Sequence, residues 1–231
     1  MRHGLVLAGF ILVFCTTFVS VRAAEPNALT AAEKAEGFEL LFDGKTLSPE
    51  IWQSAIDGYP VKDGFFVCEK GGNLLTKKEY GDFIFRFEFR LPPNGNNGVG
   101  IRAESPQRDA AYYGMEIQIL DNTAEKYKDL MPHQFHGSIY GIVPAKRDAE
   151  KGDHLRPVGQ WNAMEIDARG TKIKVSVNGA VTVDADLADF KDKPLPDGKE
   201  HPGLFREKGF LGFLGHNDPV EFRSVRVKSL P

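Results

Sequence analysis

After residue 37, apolar and polar residues alternate with period two in a succession of short stretches, the mark of strands with one buried face. The clearest case is Asp82–Leu91, where Phe83, Phe85, Phe87 and Phe89 share one face against Ile84, Arg86, Glu88 and Arg90. In the stretch Tyr112–Asp121, Met115, Ile117 and Ile119 alternate with Glu116 and Gln118, so one face can enter a core while the other offers an acid and an amide. Asp121 stands at odd spacing from Glu116, and strict alternation would bury its carboxylate. A β-bulge near Leu120 would return Asp121 to the polar face, and bulges are frequent beside active sites. Further strands are expected at Gly37–Phe42, Gly64–Cys68, from Leu74, and at Val99–Ala103, Trp161–Arg169, Lys172–Val177, Ala180–Ala185, Gly209–Leu214 and Val220–Lys228. Asn178-Gly179 is a type I′ hairpin signal, and Thr30-Ala31-Ala32-Glu33 has capping-box spacing within a lead-in at 24–36. Pro92–Gly98, Asn122–Leu130, Pro144–Pro157 and Ala188–Glu207 read as loops, and His133–Gly141 as loop running into strand. About a dozen short strands without crossover helices predict an all-β fold, an antiparallel two-sheet β-sandwich or jelly roll. No linker divides 37–231, which is expected to be a single domain.

The first residues break this pattern. Arg2 and His3 precede an apolar run from Leu5 to Val19, and Val21-Arg22-Ala23 offers a cleavage site, so residues 1–23 read as a secretory signal peptide. A transmembrane anchor would need a longer run. A lipoprotein site at Leu12–Cys15 is disfavoured by bulky Phe14 and by the apolar residues beyond Cys15. The expected location is periplasmic or secreted, with no stable membrane insertion after cleavage. Removing 1–23 takes away Arg2 and Arg22 and no acid, leaving 27 cations against 32 acids and a net charge of −5. A mildly acidic exported protein gives no electrostatic case for nucleic acid. Cys68 then stands alone without an intrachain partner, in a segment that reads as a buried strand. No glycine-rich phosphate loop follows a strand, so no nucleotide, flavin or nicotinamide cofactor is expected.

Several short motifs recur in a fixed order: Leu41-Phe42-Asp43-Gly44-Lys45, Tyr80-Gly81-Asp82-Phe83, Asn96-Asn97-Gly98-Val99 and Glu116-Ile117-Gln118-Ile119-Leu120-Asp121. Gly137-Ser138-Ile139-Tyr140, Gly159-Gln160-Trp161-Asn162, Val177-Asn178-Gly179, Gly215-His216 and Pro219–Arg223 follow. In this order and spacing they resemble the 3-keto-disaccharide hydrolase domain, over roughly residue 37 to the C-terminus. The resemblance implies a concanavalin A-like jelly roll and action on glycosides whose sugar C3 has been oxidised to a ketone. A C3 ketone acidifies the C2 proton, the enolate can expel the aglycone from C1, and water can add afterwards. An upstream sugar 3-oxidoreductase is then implied as a pathway partner. Such a site needs a base at C2–H, donors or a cation at the enolate oxygen, and an acid for the leaving oxygen.

On that model the catalytic candidates are Glu116, Asp121, His136 and His216. The two carboxylates are open to a role as base, acid or metal ligand, and His136 is the preferred proton carrier because imidazole titrates near neutrality. Asn97, Arg102 and Gln118 would bind hydroxyls or the enolate oxygen, and Tyr140 and Trp161 would stack on a sugar ring. Relatives often carry Gln two residues before the last-loop His, where this chain has Leu214. His, Asp and Glu would suit a divalent metal, but no ligand spacing is diagnostic. Two rival readings remain. The stretch Glu116–Asp121 also looks like the catalytic strand of family-16 β-glycanases, Glu-x-Asp-x-x-Glu, with Gln118 in place of the middle acid and the shorter Asp121 in place of the last. A non-catalytic lectin-like module is the other, and whether Glu116, Asp121, His136 and His216 share one pocket separates it from an enzyme.

Overall fold

In the computed structural model, residues 25–148 and 152–231 are described. The expected leader 1–23, with Cys15, and the tip of the Pro144–Pro157 loop lie outside them. The capping box forms: the Thr30 hydroxyl accepts from the Glu33 N–H, and the Glu33 carboxylate accepts from the Thr30 N–H at 3.0 Å, starting helix α1 (Ala31–Glu36). Glu33 then takes the Arg226 guanidinium at 2.5 Å and Arg86 at 3.5 Å, which ties the lead-in to the sheet behind it.

The strands are β1 (Glu39–Leu40), β2 (Trp52–Ser54), β3 (Val61–Lys62), β4 (Phe65–Val67), β5 (Gly72–Tyr80), β6 (Phe83–Arg90) and β7 (Asn96–Ala103). Helix α2 (Ala110–Tyr113) precedes β8 (Met115–Leu120), and β9 (Trp161–Arg169), β10 (Lys172–Val177), β11 (Ala180–Asp186), β12 (Gly209–Gly215) and β13 (Glu221–Ser229) complete the chain. All pairings are antiparallel. One sheet of eight strands runs β11-β10-β9-β6-β13-β4-β3 with β1 beside β13, and the other runs β2-β5-β12-β7-β8. This is the expected two-sheet jelly-roll sandwich.

The Phe stripe does what its period requires. Phe83, Phe85, Phe87 and Phe89 are buried between the sheets. Phe213 of β12 meets them from the other side, with ring centroids 4.1 Å from Phe222, 5.4 Å from Phe66 and Phe87, and 6.1 Å from Trp52 and Phe85. Edge-on and tilted contacts of this kind add to the apolar area each ring buries. Phe213→Ala is expected to lower the unfolding free energy by about 3–5 kcal/mol in a urea titration, the cost of a large core cavity; a loss below about 1 kcal/mol would mean the ring is not shared by both sheets.

Candidate functional site

Alternation along three neighbouring strands decides what the outer face of the five-stranded sheet presents. On β8, Met115, Ile117 and Ile119 enter the core, leaving Glu116, Gln118 and Leu120 outward. On β7, Val99 and Ile101 enter the core, leaving Asn96, Gly98 and Gly100 outward beside them; Gly98 pairs with Gln118 and Gly100 with Glu116. The two glycines leave a trough. A methyl group on Gly98 would overlap Glu116 Oε1 and lie 2.6 Å from its carboxyl carbon, and one on Gly100 would lie 3.0 Å from Leu214 Cδ2. The Glu116 carboxyl therefore lies flat on bare backbone.

Loops wall the trough. Ser138–Tyr140 adds to the edge of β8 through Gln118 N–H to Ser138 O (3.0 Å) and Tyr140 N–H to Glu116 O (2.9 Å). Helix α2 is capped by Asp109, whose side chain accepts from Ala111 N–H at 3.0 Å. The result is a cavity of about 240 Å³ lined by Asn96, Asp109, Tyr112, Glu116, Gln118, Tyr127, Gln134, Tyr140 and His216 among others. Gln134 Nε2 donates to the Tyr140 hydroxyl at 3.2 Å, and Lys199 Nζ donates to the Tyr112 hydroxyl at 2.7 Å. Asn96 Oδ1 is buried without a partner.

Two of the groups here that can handle protons stand out. Glu116 is buried, and no hydrogen bond or ion pair from the described residues meets its carboxyl. Loss of solvent, and secondarily the charge of Asp109, push its pKa up to about 8, so it is protonated at neutrality. His216 Nδ1 lies 2.9 Å from Leu214 O. A carbonyl only accepts, so Nδ1 carries the proton and Nε2 keeps its lone pair in the neutral ring.

The structure gathers Glu116, Gln118, Tyr140 and His216 and removes the other expected site residues. β8 has no bulge; it ends at Leu120, and Asp121 accepts from Asn94 N–H (2.8 Å), Thr123 N–H (3.1 Å) and the Thr123 hydroxyl (2.5 Å). Asp121 thus solves its spacing problem by holding a turn. His136 is fully buried; its Nδ1 accepts from Leu120 N–H at 3.2 Å and its ring lies 5.3 Å from Phe89. Burial pulls its pKa down to about 4, against the opposing charge of Asp153, so it is a neutral core residue, and it does not line the cavity. Asn97 is on the core side of β7, its amide oxygen accepting from Gly98 N–H. Arg102 is turned away by a left-handed backbone (φ 49°) and spends its guanidinium on Gly81, Gly170 and Arg206 carbonyls and on Asp82. Trp161 is on the other sheet, with Arg223 at 4.1 Å and Arg90 at 4.8 Å over its ring, where a sugar would have to stack. Sequence reasoning missed Asn96, Asp109, Tyr112, Tyr127 and Gln134. Asn96 was within reach, since it lies one face-repeat from Gly98, whereas the others sit on loops whose path alternation does not give. Among the described residues no group of three or more His, Cys, Asp or Glu side chains is placed to hold a metal ion.

A family model described as the 3-keto-alpha-glucoside-1,2-lyase-like domain matches residues 37–228. A 3-keto-disaccharide hydrolase from Bacteroides thetaiotaomicron is 25% identical, covering 91% of this chain and 84% of the relative. A solved structure of a candidate glycosyl hydrolase from Parabacteroides distasonis is 28% identical with a TM-score of 0.72, over 84% of this chain and 99% of that one. A second structure from the same organism, 23% identical with a TM-score of 0.75 over 90% of this chain and all of that one (100%), has the same fold.

Two measurements test the trough. Gly98→Ala should fold but displace the Glu116 carboxyl, and binding or turnover should fall at least about 100-fold, the scale of losing a positioned group. For Glu116→Gln the sign follows from the raised pKa: between about pH 4.5 and 8 the folded wild type holds a proton that the unfolded chain has lost, so wild-type stability falls as pH rises. The advantage of Gln in urea titrations should therefore grow from pH 5 to 8, by at most ~1.4 kcal/mol per pH unit, and level off above. A difference that is flat with pH would show a carboxyl ionised throughout.

Proposed function

The chain belongs to the 3-keto-alpha-glucoside-1,2-lyase-like domain family and is a carbohydrate-acting hydrolase; on that premise we propose that it cleaves glycosides already oxidised to a ketone at C3, by elimination followed by hydration. The observation that supports this most is a Glu116 carboxyl whose pKa burial lifts to about 8 and a His216 ring oriented by the Leu214 carbonyl, both lining one cavity. A carboxyl that keeps its proton can serve as acid, and an imidazole whose Nδ1–H is held by a carbonyl presents Nε2 as base.

His216 Nε2 takes the C2 proton, and the Nδ1–H bond to Leu214 O stabilises the imidazolium that results. The C2–H electron pair becomes an enolate delocalised onto the C3 oxygen, where amide and hydroxyl donors from Gln118, Gln134 and Tyr140 receive it. Collapse of the enolate forms the C1–C2 double bond and breaks the C1–O bond. Glu116 gives its proton to the departing oxygen. Water then adds to C1 of the enone, its proton returning to Glu116 while C2 is reprotonated by His216, so both residues are reset and the net reaction is hydrolysis. The retaining two-carboxylate route of family-16 enzymes has less to draw on, because Gln118 is an amide and Asp121 is committed to its turn. The leader-like residues 1–23 support export to the periplasm or medium, and the substrate chemistry requires a separate sugar 3-oxidoreductase.

Purified residues 24–231 should release product from 3-ketotrehalose or 3-ketolactose and not from the unoxidised disaccharides or a β-glucan, and reaction in D₂O should place deuterium at C2. With Glu116 as acid, kcat/KM should fall about tenfold per pH unit above about pH 8. A rise through pH 8 would exchange the two roles. Cleavage of plain glucan would move the protein to the glycanases, and sugar binding without turnover of any substrate would leave a lectin-like module.

A further inference from the structure

Glu116 does not close the site; it divides it. On its far side lies a second cavity of about 320 Å³, lined by Asn73, Pro106, Gln107, Arg108, Ala110 and Leu214, and sharing Asp109, Glu116 and His216 with the first. Its floor follows from the same alternation: Leu74 of β5 enters the core, so Asn73 and Leu75 face outward, with Leu214 beside them on β12. Its wall is the 104–109 segment, tied down by Asn73 Nδ2 to Pro106 O at 3.2 Å and by Arg108 N–H to Ser105 O at 3.3 Å. Arg108 rests its guanidinium 4.2 Å over the Tyr113 ring, and among the described residues it has no carboxylate partner. Its donors are therefore unspent, and stacking limits the side-chain freedom that binding would otherwise have to remove.

Resting on the keto-glycoside reading above, we propose that this second cavity is the aglycone subsite, that it takes a second hydroxylated sugar ring, and that Arg108 and Asn73 set that preference. A proton given by Glu116 must reach the oxygen between the two rings, and Glu116 is a shared wall of the two cavities. The ring that reacts has to be held in one orientation, which suits the 240 Å³ cavity with its buried Gln118 and the unpartnered Asn96 Oδ1. The ring that leaves suits the side whose wall is surface loop. Asn73 Oδ1, the Gln107 amide and the Arg108 guanidinium fork offer hydroxyls an acceptor and donors, while Pro106, Ala110 and Leu214 offer the apolar face of a pyranose a surface.

The test compares a 3-keto disaccharide with methyl 3-ketoglucoside, which has no second ring. In the Glu116→Gln background, calorimetry should give the disaccharide about tenfold or more tighter binding than the methyl glycoside, and adding Arg108→Ala or Asn73→Ala should remove most of that ratio. In otherwise wild-type protein, the same two substitutions should lower the disaccharide-to-methyl ratio of kcat/KM about tenfold, chiefly through KM. Equal binding of the two ligands by the Glu116→Gln protein, or equal loss on both ligands in the Arg108 and Asn73 variants, would overturn the subsite. Failure of the functional reading looks different: the wild type would bind both keto sugars and cleave neither, with the binding ratio still reporting on the second cavity.

Discussion

The site depends on the absence of one side chain. Gly98 leaves the surface on which the Glu116 carboxyl lies, and with Gly100 it lets two strands of an ordinary sheet enclose an acid without hydrogen-bonding it. An ionised carboxylate so placed would be costly, and the group responds by keeping its proton. The raised pKa is thus a direct result of backbone packing, with the charge of Asp109 adding to it. The fold tolerates such a group because the opposite face of the same strands, through Val99, Ile117 and Phe213, is committed to a dense aromatic core. The sandwich supplies the stability and its outer face holds the destabilised group.

Much of this was legible in the sequence. The Thr30–Glu33 capping box and the Asn178-Gly179 turn act through contacts within a few residues, the Phe83–Phe89 stripe follows from the period of a strand, and each forms as read. Glu116 and Gln118 were legible for the same reason, since a period of two fixes the face of a strand. Tyr140 and His216 came through the ordered motifs rather than from periodicity. The remainder failed on tertiary grounds. Nothing local says that Leu120 N–H will claim His136, that Arg102 will turn to collect three carbonyls, or that Arg90 and Arg223 will cover Trp161. A polar residue in the core and one in a cleft look alike until the partners are known.

On the proposed reading, the division between acid and base also follows from position. Glu116 is in the middle of a strand, where burial is greatest, and His216 is just past the end of one, where the chain turns outward and a spare carbonyl of its own strand can orient the ring. The inner group is the one whose proton affinity is raised by lack of solvent. The outer group keeps contact with water. This arrangement leaves Asp121 to serve as a turn-former, and the carboxylate that neighbours Glu116 is instead Asp109 on the α2 cap.

The trough floor is short and flat, and nearly everything that could distinguish one substrate from another stands on three connecting segments: 104–114, 125–140 and the residues after β12. His136, Ile139 and Val220 of these segments enter the interior, but the residues that line the two cavities do not belong to that aromatic core. Replacements at those lining positions can be accepted without disturbing the packing that keeps the chain folded. The molecule thus separates its parts by their tolerance to change: Gly98, Gly100 and Glu116 are fixed against one another by strand packing, while the loop positions around them are open to reshaping.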